Sequence, residues 1–434
     1  MRFVTLDDWL RWQETLHPKT IDLGLERVRA VGQRLYPGAP SCIVITVAGT
    51  NGKGSCVAFL DSILRAAGYR VGAYTSPHLL RYNERIRIDG AEAEDGALCQ
   101  TFARIDAARD DISLTYFEFG TLAALELFRT AQVDVAVLEV GLGGRLDAVN
   151  SVDADAALVT GIGLDHTDWL GPDRNSIGYE KAGIYRAGRP AICADPDPPP
   201  SLLQQAERIG ALLLRVGCDY RFAHAGATWH WQAGDTRLDA LPLPALAGAH
   251  QLGNAAAALM TLHSLRARLP VTDAAIRQGL RNARLPGRFQ VFPGPVEWIL
   301  DVAHNPQGAA VLAANLRERS CSGRTWAIMG LLADKDAGGV IAALRGVVDA
   351  WYTVTLSGAR GRDATALRDA LHDAGATAEA SVDPEAACQS ARAAAQHGDR
   401  IVVFGSFHLV APVLALQPWL LHDPCHPHGR PDLG

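Results

Sequence analysis

Residues 43–55, Ile43-Val44-Ile45-Thr46-Val47-Ala48-Gly49-Thr50-Asn51-Gly52-Lys53-Gly54-Ser55, constrain the fold more than any other stretch of the chain. A β-branched apolar run enters a glycine-rich turn that carries one lysine and one hydroxyl, and the apolar stretch Cys56–Ala67 after it reads as a helix stopped by Gly68. Strand, glycine turn and helix together aim backbone N–H groups and a helix N-terminus at an anion. Glycine lets the backbone approach the anion because no Cβ intervenes. Lys53 would add a mobile positive charge and Ser55 a hydroxyl for a magnesium ion. The common phosphate-loop pattern places Ser or Thr directly after the lysine, whereas here Gly54 intervenes. The competing reading is an ordinary strand–turn–helix. The motif names a class of ligand and leaves the reaction open.

Charge narrows the partners. A formal charge of −6 argues against a general nucleic-acid binder, which needs a basic face. The local cluster Arg81, Arg85 and Arg87 still suits an anionic small molecule. No apolar run approaches the roughly 20 residues of a membrane span, and Met1–Leu10 holds two aspartates where a signal peptide would be apolar. The eight cysteines form no CxxC pair and several sit in apolar runs, which predicts buried free thiols and a cytoplasmic protein.

Taken in order, the chain predicts an α/β protein of two domains. Helices open at Asp7 and Gly24, and the turn cluster Pro37-Gly38-Ala39-Pro40 precedes the glycine loop. Strands are expected at 71–74, 134–141, 156–160 and 190–194, with helices at 94–109, 115–129 and 202–210 between or beside them. Residues 212–243 shorten into strand-like pieces and predict a small antiparallel annex; the small-residue stretch from Gly248 predicts a closely packed helix. Pro286-Gly287 ends the first domain, 1–285, and residues 286–295 read as a linker. Alternation restarts in 296–422 with strands at 297–302, 325–329, 350–356 and 400–404. Helices lie between them, and Asn305-Pro306 caps and starts one. Such alternation marks mostly parallel sheets. The first domain reads as a phosphate-loop, mostly parallel sheet domain, the second as a smaller Rossmann-like one. Residues 423–434, rich in proline and histidine, read as a disordered tail, and His426 and His428 have no evident partner ligands.

Ligands of open α/β sheets bind at the C-terminal ends of strands. There Glu139 ends one apolar strand, and Asp165 and His166 follow another. A carboxylate in that position is costly unless a cation meets it, so the pair of strand ends predicts metal or phosphate work; a helix cap and a satisfied histidine are the plain alternative. Residues 75–86 form a long irregular stretch with two arginines, a glutamate and a proline, of the length functional loops have; a solvated connector is the alternative.

Beyond these local signals, Gly49–Ser55 resembles the phosphate loop of the folylpolyglutamate and dihydrofolate synthases of the Mur ligase superfamily. Further blocks resemble that family in the same order: Ser76-Pro77-His78-Leu79, Glu139–Asp147, Leu164–Gly171, Glu180–Ile184, Pro286–Phe289, Asp301–Pro306 and Gly405–His408. The resemblance spans nearly the whole chain. It implies that ATP drives the joining of the L-glutamate amine to a carboxylate on a pterin compound, through an acyl phosphate. Phosphoryl transfer needs charge neutralisation and alignment more than covalent chemistry by the protein. By the same resemblance Gly49, Thr50, Asn51, Gly52, Lys53, Gly54, Ser55, Asn254, Arg288 and Asp301 would bind ATP, with Asp301 at the ribose, Arg288 at the phosphates and Asn254 near the adenine. Ser55 and Glu139 would hold one Mg²⁺. His166 and a carbamylated Lys181 would hold a second, and oxygen-rich, partly hydrated coordination suits that metal. Ser76, Pro77, His78, Arg81, Asp147 and Ala148 would face the pterin, and His304 and Ser406 the glutamate. Lys53, Lys181, His166 and His304 are the implied catalytic set.

Without the resemblance, Lys181 would read as a surface lysine beside Glu180, Asp301 as a strand-end residue and Arg288 as a linker charge. Muramyl-type ligation fits less well, because only residues 1–42 precede the loop strand and Gly-Lys-Gly-Ser replaces the Gly-Lys-Thr-Thr of those ligases. The loops at 76–86 and 144–147 resemble those of enzymes with both activities, toward dihydropteroate and toward reduced folates; polyglutamylation alone is the alternative. A nucleotide switch would have no need of the 301–306 block. The expected enzyme is a cytoplasmic monomer, acting on neither nucleic acid nor membrane.

Overall fold

Alternation along the strand before the glycine turn decides where the first sheet is buried. In β1 (Ile43–Ala48) Val44 and Ala48 enter one apolar cluster, while Ile45 and Val47 enter another on the opposite face. A strand buried on both faces is the mark of a parallel sheet covered by helices. Each such buried Val or Ile contributes about 1.5–3 kcal/mol relative to exposure. The structure, a computed structural model, describes residues 2–38, 40–358, 360–417 and 419. The expected tail, with its two histidines and Cys425, lies outside the described residues.

The chain divides into two compact units at Leu285/Pro286. After β1, the first unit adds β2 (Val71–Tyr74), β3 (Ile86–Ile88), β4 (Ala91–Glu92), β5 (Val135–Glu139), β6 (Ala156–Val159), β7 (Pro190–Cys193) and β8 (Leu212–Arg215). They form one sheet in the order β4-β3-β2-β5-β1-β6-β7-β8, parallel from β2 to β8 with the antiparallel hairpin β3–β4 at one edge. The strand before the glycine turn is thus central, flanked by the strands that end at Glu139 and just before Asp165.

Behind the sheet, helix Lys53–Ala66 is buried along most of its length, from Ser55 to Leu64. Two helices pack on it. His250–Ser264 does so at its first turns, where Gln251 meets Ser55 and the Asn254 carbonyl lies 3.6 Å from Cys56 Sγ. Asp273–Asn282 approaches at Gly279, where any Cβ would collide with Ile63. An annex of β9 (Tyr220–Ala225), β10 (Thr228–Ala233) and β11 (Thr236–Pro242) forms an antiparallel sheet of its own. The annex is smaller than expected, because Leu212–Arg215 pairs in parallel with β7 and belongs to the main sheet.

The second unit contains β12 (Gln290–Phe292), β13 (Glu297–Asp301), β14 (Thr325–Met329), β15 (Ala350–Val354), β16 (Ala378–Ser381) and β17 (Arg400–Phe404), in the order β12-β13-β17-β14-β15-β16. All neighbours are parallel except β12, which pairs antiparallel with β13. The stretch read as a linker is therefore partly an edge strand, since a short segment can satisfy its backbone on the sheet it enters. Asn305 caps helix Pro306–Glu318 by accepting from the Gly308 N–H at 2.8 Å. The strand Ala378–Ser381 and the helix Phe407–Leu416 were not anticipated. Among the described residues all seven cysteines are free thiols, and no helix is long and apolar enough to cross a membrane.

Candidate active site

The glycine loop closes against the segment that follows β6. The Thr50 N–H donates to the Gly161 carbonyl at 2.9 Å, Thr160 Oγ1 donates to the Asn51 carbonyl at 2.7 Å, and the Gly163 N–H donates to Thr50 Oγ1 at 3.0 Å. Glycine is required at two places. Gly49, at φ +149°, would drive a Cβ into the Thr160 side chain. Gly52, at φ +92°, would place one 2.6 Å from Asn254 Oδ1. Helix Lys53–Ala66 starts directly after Gly52, so Lys53, Gly54 and Ser55 form its first turn, where an anion gains from the helix dipole. The Lys53 ammonium lies over the loop, donating to the carbonyls of Gly49 and Thr50 at 3.0 and 3.3 Å.

Parity along β5 sets the next group. Val135 and Val137 point into the cluster that contains the loop helix, so Glu139, two residues on, shares their face. Its carboxylate, buried to 4% exposure, would be 3.7 Å from a Cβ on Gly54 and accepts from the Ser76 N–H at 3.4 Å. Ser55, the residue after Gly54, is buried and receives a hydrogen bond from Gln251 Nε2 at 3.2 Å. The Ser55 hydroxyl on the first helix turn and the Glu139 carboxylate at the end of β5 are hard oxygen donors of the kind Mg²⁺ takes, together with phosphate oxygens and water. That sharing explains why no group of three or more acidic, His or Cys side chains gathers into a metal cage among the described residues.

Lys181 is buried to 3% exposure in helix Arg174–Ala182. Burial, reinforced by the Lys53 charge and opposed by Asp165 and Asp147, brings its ammonium from the ordinary value near 10.5 down to about 7. An amine of that kind is neutral in a substantial fraction of molecules at pH 7, and the neutral form is the one nucleophilic toward CO₂, as carbamylation requires. Two sequence blocks lock it in place. Gly144 packs on the carbonyls of Glu180 and Lys181, Gly183 leaves room only for the Arg145 side chain, and Asn150 Nδ2 donates to the Arg145 and Gly183 carbonyls at 3.0 and 3.1 Å.

Asp147 sits in the same neighbourhood, accepting from the N–H groups of Leu142 and Val149, each at 2.9 Å, and capping the short helix Ala148–Ser151. Burial raises its carboxyl to about 6, against the pull of those N–H groups and of Lys53. His166 adopts φ +52° at the start of the turn Thr167–Leu170, its backbone N–H held by Asp165 Oδ1 at 2.9 Å.

The irregular loop after β2 is folded by Glu84, whose carboxylate accepts from the N–H groups of Leu79, Leu80 and Arg81 at 2.6–2.8 Å. Ser76–Pro77 is a cis peptide. His78 Nδ1 accepts from Arg85 Nε at 2.8 Å, and that guanidinium stands over the rings of Tyr82 and Tyr116 at 5.5 and 5.4 Å. Arg81 turns elsewhere, into ion pairs with Asp95 at 3.1 Å and Glu92 at 3.8 Å. Arg85 is thus the arginine gathered with His78, and nothing in the sequence distinguished the two.

In the second unit, β13 and β17 end in register at Asp301 and Phe404, which gathers the predicted residues at one edge. Asp301 accepts from the N–H groups of Phe289 and Ala303 at 2.8 and 2.7 Å; burial raises its carboxyl and the Arg288 charge opposes that. The Arg288 guanidinium lies 5.1 Å from the Phe407 ring centre, and Ser406 caps that helix by accepting from the His408 N–H at 3.1 Å. His304 Nδ1 lies 3.0 Å from the Val302 carbonyl oxygen.

A family model for the Mur ligase middle domain matches residues 47–262, and one for the Mur ligase glutamate ligase domain matches 287–407. The chain is 49% identical over 410 residues to the dihydrofolate synthase/folylpolyglutamate synthase of Escherichia coli strain K12, covering 94% of each chain. The solved structure of E. coli FolC with DHPP and ADP is similar at TM-score 0.91 and 48% identity, covering 95% of this chain and 98% of that one. A bifunctional folylpolyglutamate synthase/dihydrofolate synthase from Yersinia pestis, complexed with AMPPNP and Mn, matches at TM-score 0.90 and 49% identity over 95% and 98%.

Proposed function

Because the chain belongs to the Mur ligase family, in its dihydrofolate synthase/folylpolyglutamate synthase branch, we propose that it joins L-glutamate to 7,8-dihydropteroate and to reduced folates at the expense of ATP. The observation that carries this reading is the Glu139 carboxylate packed on Gly54, beside Ser55 and Lys53 in the first turn of the loop helix. A carboxylate is a poor acyl donor until phosphorylated, and that phosphoryl transfer is a problem of charge and alignment. Lys53, Arg288 and the loop N–H groups would hold the phosphates, with Asp301 at the ribose and Asn254 near the adenine. Ser55 and Glu139 would hold one Mg²⁺, with His166 and carbamylated Lys181 holding a second; bound there, the metal neutralises developing phosphate charge. Ser76, Pro77, His78, Asp147 and Ala148 orient the pterin acceptor. His304 and Ser406 orient the glutamate, whose amine attacks the acyl phosphate. Free thiols throughout the described residues support a cytoplasmic enzyme, and we take it to act as a monomer, on small molecules alone.

Purified protein with ATP, Mg²⁺ and L-glutamate, supplied separately with 7,8-dihydropteroate and tetrahydrofolate, tests this directly. Glutamate-dependent ADP release with both is expected. Release with tetrahydrofolate alone would reduce the reading to polyglutamylation, and release with neither would overturn it.

A further inference from the structure

Helix His250–Ser264 presents one polar side chain to the phosphate loop that the proposed chemistry does not use. Gln251, buried to 2% exposure, lies at its first turn. Its Nε2 donates to Ser55 Oγ at 3.2 Å, and its Oε1 accepts from Asn254 Nδ2 at 3.0 Å. Asn254 in turn stands over Gly52, and its carbonyl oxygen lies 3.6 Å from Cys56 Sγ. One buried amide therefore spans the hydroxyl of the loop helix and the asparagine above the glycine turn.

We propose that Gln251 is a positioning residue for Ser55, fixing the direction in which the hydroxyl oxygen meets a divalent cation; this rests on the reading of Ser55 as a magnesium ligand. A serine oxygen carries one hydrogen and two lone pairs. An amide N–H entering one lone pair leaves the other for the metal, and the hydroxyl hydrogen must turn to the third direction. The second hydrogen bond, to Asn254, keeps the amide from rotating and presenting its own oxygen to the serine. An uncharged amide is also suited to the place, because a carboxylate there would itself compete for the cation. Groups that orient a metal ligand from behind typically account for 10–100-fold in metal affinity or activity.

The test is calorimetric binding of AMPPNP to the full chain, with Mg²⁺ and with EDTA, read as the fold-increase in affinity that Mg²⁺ confers. Wild type, Ser55→Ala, Gln251→Met and the double variant form a cycle. Gln251→Met is expected to lose about 10-fold of the Mg²⁺-dependent increment, and the double variant no more than Ser55→Ala alone. An unchanged increment in Gln251→Met, with Ser55→Ala impaired, overturns the proposal and leaves the magnesium reading standing. So does full additivity in the double variant, or an equal loss in EDTA, either of which makes Gln251 a packing residue. An unchanged increment in Ser55→Ala removes the reading and the proposal together. Gln251→Asn, which keeps an amide in the buried position but withdraws it by one methylene, is read in the same way if the Met variant fails to fold.

Discussion

Arg145 grips both carboxylate oxygens of Glu180, its Nε at 3.1 and 3.2 Å and its Nη2 at 2.8 Å, while its backbone N–H donates to the Glu180 carbonyl at 2.8 Å. The residues are far apart in sequence, and the next position along the helix is Lys181. The pair therefore joins the Gly143–Asp147 loop to the helix that carries the buried amine.

Arg145→Ala should reduce kcat for glutamate ligation by roughly 10–100-fold, as loss of outer supports of a metal site commonly does. Stability should change by no more than about 1 kcal/mol, because the guanidinium is partly solvated. Arg145→Lys should recover only part of the rate, since a point charge cannot reproduce the two-pronged contact. Steady-state kinetics and thermal melts on the same preparations separate the two effects; a wild-type kcat in the Ala variant would mean the clasp does not support Lys181.

Lys181 should make carbamylation depend on pH in a definite direction. Its ammonium loses its proton at about 7, so uptake of CO₂ and the activity of CO₂-depleted enzyme restored with bicarbonate should both climb between pH 6 and 8. With ¹³C-bicarbonate, a carbamate resonance should appear in the wild type and be missing from Lys181→Ala. Short carboxylates should partly restore turnover to that variant. The linkage runs the same way for stability. With the folded value at about 7 and the unfolded one near 10.5, the unfolded state holds more protons in between, and unmodified protein should gain stability from this group as pH rises through that window. A carbamate signal of equal strength in Lys181→Ala would sink the assignment.

Lys53→Ala and Glu139→Ala should each lower kcat by on the order of 10³-fold or more, as removal of a preorganised charge from a transferring group does. Circular dichroism should stay that of the wild type. Near-normal turnover in either variant would contradict the phosphate and metal roles.

Asp147 supplies a signature of the opposite sign. Its carboxyl is raised to about 6 by burial, so between the unfolded value near 3.8 and that point the folded state binds more protons. The group's stabilising contribution is full below pH 4 and fades as pH rises through 6. Urea midpoints of wild type and Asp147→Asn should therefore shift in favour of the variant over that interval. A difference independent of pH would show that the carboxyl titrates normally.

What could be read from the chain in advance follows from how local each cause is. The glycine turn, the strand before it and the acid at the end of β5 are specified within a dozen residues by steric and periodic rules, and their places follow. Asn305-Pro306 likewise announces its cap. Gln251 could not be found that way, because its partner Ser55 is distant in sequence and becomes adjacent only when two helices pack. Arg85 and Arg81 are alike in their local surroundings, and only the fold of the loop on Glu84 separates them. Leu212–Arg215 was placed in the annex because an apolar run indicates a strand without naming its partner. In fact it forms the edge of the main sheet and leaves Leu212 half exposed.

The shared parity of Val135, Val137 and Glu139 makes chain length, as much as composition, a determinant of the chemistry. Deleting or inserting one residue within β5 would reverse which side of the sheet every later side chain faces. The valines could exchange one apolar neighbourhood for another, but the carboxylate would be delivered to the face away from the phosphate loop. Indels in this strand should therefore be tolerated far less than substitutions, and a library scored for turnover should show that contrast most sharply between Val135 and Glu139.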